Sequence, residues 1–562
     1  MNLSTSDPKE RQLLNVVEEM AIASGVPVPS IYVLDSEKGI NTFSAGHDIG
    51  DAAIGVTRGC LHVLNRDELQ AMVAHEFSHV LNGDIRLNVR LIGVLFGIMM
   101  IGSTGRWIFE KGIFVGAASR GRRGSINGVP IMIAGGGLIW LVGSFGLFTG
   151  RLIQRAITRQ RAYLADASAV QFTRNPDGLV GALKKIGGYA SGAKVFARET
   201  AEMSHIFFGD AVSSDHSMFS THPTLVERIR RLEPSFAGVF ETVHAPNSLH
   251  TREAVVEPSH ITAVMPMAAG MSMAVAPLLT QVMSIDPKKF VADLGTISPE
   301  HLAFSQNLLA TIPEDLREAA RSTLGGVALV YALMMEGDCT TEAEFAALKE
   351  LTHERIFAET ERLLPLTRAL DPLARLPLIE LTIGSLRGLS PDQYATFRRE
   401  LGAIAAADNR LSIFEFAVQK SVVHWLDSAF GLRTVRPVQY YAPRALKTEI
   451  STVLSALAYA SAREERDAAM AFQLGASQMR LMEPGELVQL TSEEFGFDKL
   501  DGVLDRLDAA SPAVKKQVLT ACAHVVLCDG QIDPAESELL RVVADAMGCP
   551  APPMIPTAAM AA

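Results

Sequence analysis

Apolar residues recur at helical spacing through Glu10–Ser24, at Leu13, Leu14, Val17 and Met20, and predict an opening helix. Val26–Leu34 (VPVPSIYVL) and Ala52–Thr57 (AAIGVT) read as short strands. A second helix is marked at both ends. Asn65 is an N-cap with Glu68 three residues on, Leu69, Met72, Val73, Phe77 and Val80 form its apolar stripe, and Gly83 is its stop. The pattern then turns apolar all round. Val129–Gly150 is 22 residues without a charge, about 33 Å of helix against a hydrocarbon core of about 30 Å. Leu91–Gly105 adds 15 uncharged residues, long enough to span if Arg90 and Arg106 snorkel. The two predict a membrane hairpin over 87–150.

Helical patterning resumes over 151–243. Residues 244–285 read as a linker, with Pro246, Pro258, Pro266 and Pro277 and no charge after Glu257. Amphipathic helices then run through 286–440 and 441–548. Asp408–Glu415 and Asp529–Glu536 repeat one local shape, a capping box opening a helix after an Ala-rich helix. The spacing of the second does not fit an EF-hand loop, so calcium is not expected there. The shape resembles a TerB-like helical module in 441–548. The tail, 549–562, is expected to be disordered. The fold class expected is therefore mainly α with a small β-sheet (an α+β domain over 1–86 and 151–243), a transmembrane helical hairpin and an all-α C-terminal region.

Composition narrows the partners. The mean hydropathy of +0.19 agrees with membrane segments. A formal charge of -11 offers no broad basic surface, so no nucleic acid is expected. Five dispersed cysteines make neither a disulfide framework nor a C-x-x-C pair, which fits soluble parts facing a reducing cytosol. Six basic residues flank the hairpin on the side of the main domain and five lie at its connecting end, by the sequence (Arg86, Arg90, Arg151, Arg155, Arg159, Arg161 against Arg106, Lys111, Arg120, Arg122, Arg123). Charge therefore leaves membrane orientation open.

The chemistry is carried by His75-Glu76-Phe77-Ser78-His79. Positions i and i+4 share one helix face, so both imidazoles can reach one Zn²⁺, and Glu76 can act as general base. On a helical wheel the two histidines point well away from the apolar stripe, which predicts that they open on a cleft.

AMVAHEFSHVLNGDIR and the hairpin after it resemble the HtpX-like and CAAX-prenyl-protease family of membrane zinc metallopeptidases. NTFSAGHDIGDAAIGVTRG is similar to its substrate-side strands, Thr158–Phe172 to the segment bearing its third ligand, and Met218–Leu232 to its His-Pro motif. The resemblance covers about residues 10–240. It implies one Zn²⁺ per chain on His75 and His79, Glu76 as base, Asp166 orienting a ligand imidazole, and His222 stabilising the oxyanion. Asn82 would anchor the end of the metal helix or simply close it. The family's third ligand is a glutamate four residues before the Asp of Ala-Asp. Here that position is Ala162, which has no donor atom.

Three explanations of Ala162 stand: a substitution that silences a protease, a natural pseudoprotease that binds without cutting, or a site rescued by His222, His205 or Asp166. Asp166 is a helical turn away, which weighs against the last. The implied activity is zinc endoproteolysis of membrane or misfolded proteins, weakened or lost through Ala162. The implied location is a bacterial inner membrane, multi-pass, with the catalytic domain cytosolic. Expected partners are a polypeptide substrate and the bilayer. The helical region beyond 285 is where a second copy or a membrane-protein partner would dock.

Overall fold

The computed structural model describes residues 3, 5–118, 129–196, 203–211, 222–244, 287–335, 342–407, 413–433, 437–461, 465–483, 485–491, 494, 497–528 and 533–555. The expected linker beyond His244, and residues 408–412 and 529–532 of the two capping-box repeats, lie outside these residues; the second capping box itself is present, with the Asp533 N–H donating to Glu536 at 2.9 Å.

Helix α1 is Pro8–Ser24, capped by the Asp7 carboxylate at one end and by Gly25, at φ 67°, at the other. Strand β1 (Ser30–Leu34) runs parallel to β3 (Ala53–Thr57), and β2 (Thr42–Ala45) runs antiparallel to β3, giving the order β1-β3-β2. β2 is an edge strand. Its Phe43 ring lies across Gly55, where a Cβ would stand 2.1 Å from the ring. Helix α2 (Arg58–Val63) leads to α3 (Arg66–Leu81). The Asn65 carboxamide accepts from the Glu68 N–H at 2.9 Å while Glu68 accepts from the Asn65 N–H at 2.8 Å, which satisfies two donors a helix start leaves open. All five stripe residues of α3 are buried. Gly83, at φ 69°, turns the chain after α3.

Helices α4 (Asp84–Ala118) and α5 (Val129–Thr173) pair along their length as the hairpin. Both are long and apolar enough to cross a membrane, and they expose Phe114, Ile131, Leu141 and Phe145. Glycines set the closeness of the pair, since a Cβ on Gly143 would stand 2.4 Å from the Gly102 Cα. α5 continues past the apolar stretch into the main domain, followed by α6 (Pro176–Gly188) and α7 (Leu225–Leu232).

The described residues of 287–546 are helical wherever they form regular structure, apart from an isolated bridge between Tyr440 and Ala510. Helices of 299–429 pack on α1, and their buried residues, among them Tyr331, Ile379 and Trp425, join those of α1 and α3 in one core. Arg321 pairs with Glu18 of α1 at 2.7 Å, both largely buried. A second core holds the helices beyond 446.

One expectation is corrected here. The tail 549–562 is expected to be disordered, but over 549–555 the chain is packed, with Ala551 and Met554 buried; residues 556–562 lie outside the described residues. Arg541 Nε donates to the Ala551 carbonyl (3.1 Å), and the Ala551 N–H donates to Asp545 (3.2 Å). The segment is held by tertiary hydrogen bonds, which its Pro- and Ala-rich composition does not encode.

Candidate metal centre

α3 passes beneath the sheet with His75, Glu76 and His79 on the side facing β2 and α5. His75 and Glu76 do not open on a cleft, at 2% and 0% exposed, whereas the His79 side chain keeps 17% exposure. A helical wheel gives direction away from the stripe, not what lies there. Here α5 and the Phe208 ring, 4.7 Å from that of His75, close over the pair.

Each imidazole has a carboxylate at Nδ1, in hydrogen-bond geometry at His79 but as an ion-pair contact alone at His75, whose Nδ1 makes no hydrogen bond among the described residues. His75 Nδ1 lies 3.0 Å from Asp166 Oδ1, and His79 Nδ1 lies 2.8 Å from Asp84 Oδ2. The ring centroids are 4.9 Å apart. With Nδ1 engaged by a carboxylate, Nε2 is the nitrogen left to bind a metal, the usual arrangement of metal-ligating histidines. The carboxylates are themselves secured. Arg228 clamps Asp166 with two hydrogen bonds, Nε to Oδ2 at 2.8 Å and Nη2 to Oδ1 at 2.6 Å, and donates Nη1 to the Phe208 carbonyl at 2.7 Å. Arg161 pairs with Asp84.

The charge states suit ligands. Burial pushes His75 down to about 3, against the pull of Asp166, and burial lowers His79 as well. Both shifts favour the neutral ring, the form that binds a metal. Burial opposes ionisation of Asp166, but Arg228 overcomes it and holds the carboxyl well below its ordinary range. Burial raises Glu76. Its Oε1 accepts from Thr42 Oγ1 at 2.7 Å, whereas Oε2 is buried with no hydrogen-bond partner among the described residues. An orphaned acceptor beside two oriented imidazoles is where a proton to be taken would sit.

The donor set is nonetheless short. Ala162 is 4% exposed on α5, one turn before Asp166. Among the described residues no group of three His, Cys, Asp or Glu side chains is placed to hold a metal. The residues present thus fit two of the three protein ligands of a catalytic zinc. His222 is buried with Nδ1 3.5 Å from Asp210 Oδ1, and His205 is buried too. Asn82 donates from Nδ2 to Ser78 Oγ at 3.1 Å and closes α3.

Sequence reasoning missed Asp84, Arg161 and Arg228. Asp84 carried a signal, as an acid five residues after His79 and just past the Gly83 turn. Arg228 is 62 positions from Asp166, and nothing local marks the pairing.

Two carboxylate-held imidazoles and a buried glutamate on one helix, under the edge strand of a small sheet, define the class of metallopeptidases built on a His-Glu-x-x-His helix. Comparison with known proteins agrees. The model of peptidase family M48 matches residues 7–235. A protease HtpX homolog of Caldanaerobacter subterraneus is 37% identical over 229 residues, 41% of this chain and 73% of the relative. One of Thermoanaerobacter pseudethanolicus is 36% identical over 230 residues, 41% and 73%. One of Listeria monocytogenes is 36% identical over 236 residues, 41% and 75%. No solved structure matches. The chain belongs to peptidase family M48 and is HtpX-like over its first 235 residues or so; the family match stops short of the helical half.

Proposed function

We propose that this chain is a membrane-anchored zinc endopeptidase by design, disabled at its third ligand position. The observation that carries the reading is the contrast within one site: His75, His79, Asp166, Asp84, Arg228 and Glu76 are arranged to orient ligands and accept a proton, while Ala162 offers no atom to a metal. Zinc, when bound in such a site, supplies a Lewis acid and an acidified water. The chain's own part is to hold it through His75 and His79, to fix those rings through Asp166 and Asp84, and to receive a proton on Glu76. His222 would donate to the charge that develops on the scissile carbonyl. β2 offers an edge on which a polypeptide can lie extended.

The apolar hairpin and the bacterial relatives named as HtpX homologs support a multi-pass inner-membrane location with the site on the cytosolic side. They also support membrane or misfolded proteins as substrates. A second reading is a natural pseudoprotease serving as a membrane-anchored binding or scaffold protein, with the helical half contacting a second copy or a membrane protein. Ala162 favours it; the intact orienting network opposes it.

The test compares the chain with Ala162→Glu in detergent with zinc, scoring cleavage of casein. Cleavage by the Ala162→Glu form alone supports the proposal. Cleavage by neither supports the scaffold, and cleavage by the unaltered chain refutes the ligand assignment.

A further inference from the structure

β2 is the edge strand next to Glu76, tied to it through Thr42, and it is where an extended substrate would add as a further strand. That edge is already in use. The Phe208 N–H donates to the outward Thr42 carbonyl at 2.8 Å, and Phe207 stands opposite Phe43 in an antiparallel bridge, their rings 5.4 Å apart edge to face. Asn41 grips the next residue, donating to the Gly209 carbonyl and accepting its N–H, both at 3.2 Å. The Phe208 ring then covers His75, one of the two imidazoles.

We propose that residues 206–209 are a built-in occupant of the substrate strand, which must leave β2 before a polypeptide can pair there. The inference rests on the endopeptidase reading for the place of the substrate. It adds that the site is self-blocked independently of Ala162.

The contacts suit an exchange. What the segment gives β2 is main-chain pairing, which any extended peptide can replace bond for bond. Ile206 and Phe207 are held by a small cluster of their own, with Val195, Ala211 and Phe43, apart from the main core. Small peripheral clusters open at lower cost than a global core. Phe208 is the anchor: it belongs to the main core, 1% exposed between His75 and the Arg228 guanidinium, which stands 4.1 Å over its ring, so its release is the costly part of the exchange. Substrate affinity would be reduced by the fraction of molecules in which the segment is seated.

A reversible lock tests this. Phe43 and Phe207 are directly opposed, a separation a disulfide can bridge. The variant Phe43→Cys/Phe207→Cys, with Cys339, Cys528 and Cys549 changed to Ser, is titrated in detergent with fluorescein-labelled casein. The expected result is binding when reduced, at least tenfold weaker binding when oxidised, and recovery with dithiothreitol. Equal binding in both states overturns the proposal. So does binding in neither, since the segment would then be a permanent fourth strand. Phe207→Ala, which needs no crosslink, should bind casein about tenfold more tightly than the parent; unchanged or weaker binding counts against the proposal.

The same lock placed in the Ala162→Glu chain separates the two readings. Equal cleavage in both redox states sinks the occupant and keeps the protease. Redox-dependent binding without cleavage in either state keeps the occupant and sinks the protease.

Discussion

Arg228→Met is the sharpest perturbation of the centre. The Arg228 side chain is 0% exposed and that of Asp166 6%, and two hydrogen bonds of 2.8 and 2.6 Å join them. Methionine fills much of the arginine's length but leaves a buried carboxylate without its counter-charge. Breaking a buried pair from one side costs about 3–5 kcal/mol. The centre shares one core with the helices up to residue 429, and in a unit of that size, roughly 400 residues, each kcal/mol moves Tm by about 1–1.5 °C, so a fall of roughly 3–8 °C is expected. The sign of the pH response should change as well. In the parent, Arg228 outweighs burial and depresses Asp166, so its ionised form stabilises the fold above the unfolded value of about 3.9, and that stability is lost on acidification. Without Arg228, burial is opposed only by His75, Asp166 is raised, and stability drops as pH rises above about 4. The assay is thermal unfolding in detergent between pH 4 and 8, with Asp166→Asn and the double variant completing a cycle. The double should be less damaged than the sum of the singles. A Tm within 2 °C of the parent, or an unchanged pH slope, would refute the reasoning.

Asp84→Asn in the Ala162→Glu chain should weaken zinc binding about 10–100-fold, read by competition with a chelating dye; unchanged affinity would deny Asp84 its role in orienting His79. Glu76→Gln should abolish casein cleavage in that same background yet raise metal-free stability by about 1 kcal/mol, because a buried carboxylate with one unpartnered oxygen is replaced by a neutral group; a lower Tm would contradict this. Burial lifts Glu380 to about 7, against the pull of Arg541, so the folded chain holds its proton more firmly than the unfolded one and loses stability as pH rises from about 4.5 to 7. Glu380→Gln should flatten that part of the Tm–pH curve. Gly25→Ala should release the end of the chain, because its Cβ would stand 1.9 Å from the Ala551 carbonyl oxygen and φ is 67°; trypsin and mass spectrometry would show faster cutting after Arg541, and an unchanged rate would count against the contact.

What the sequence made legible is what is local. The α3 cap, the pairing of His75 with His79 on one face and the apolar length of the hairpin each follow from spacing within one element. What stayed hidden is what other elements bring. The wheel aimed the histidines away from the core stripe correctly, but only the fold shows Phe208 laid over them. A pairing as short as that of Phe207 with Phe43 carries no alternation to detect. Residues 550–554 read as tail because proline-rich composition is silent about a buried arginine that bonds a main-chain carbonyl. The helical half likewise gave no hint that its apolar faces complete the core around α1.

The two arms of the hairpin bear on the centre in a way that motif spacing could not suggest. Asp84, which orients His79, is the first residue of α4, and Asp166, which orients His75, lies on α5 beyond its apolar stretch. Each imidazole is thus aimed by a carboxylate from a different arm, and the glycine contacts such as Gly102 with Gly143 fix how closely those arms lie. The two long apolar helices therefore each deliver one of the carboxylates that face the imidazoles. Ala162 lies on the same arm as Asp166, one turn before it. A glutamate returned there would bind on geometry that α5 sets, which is why Ala162→Glu tests the design without rebuilding it.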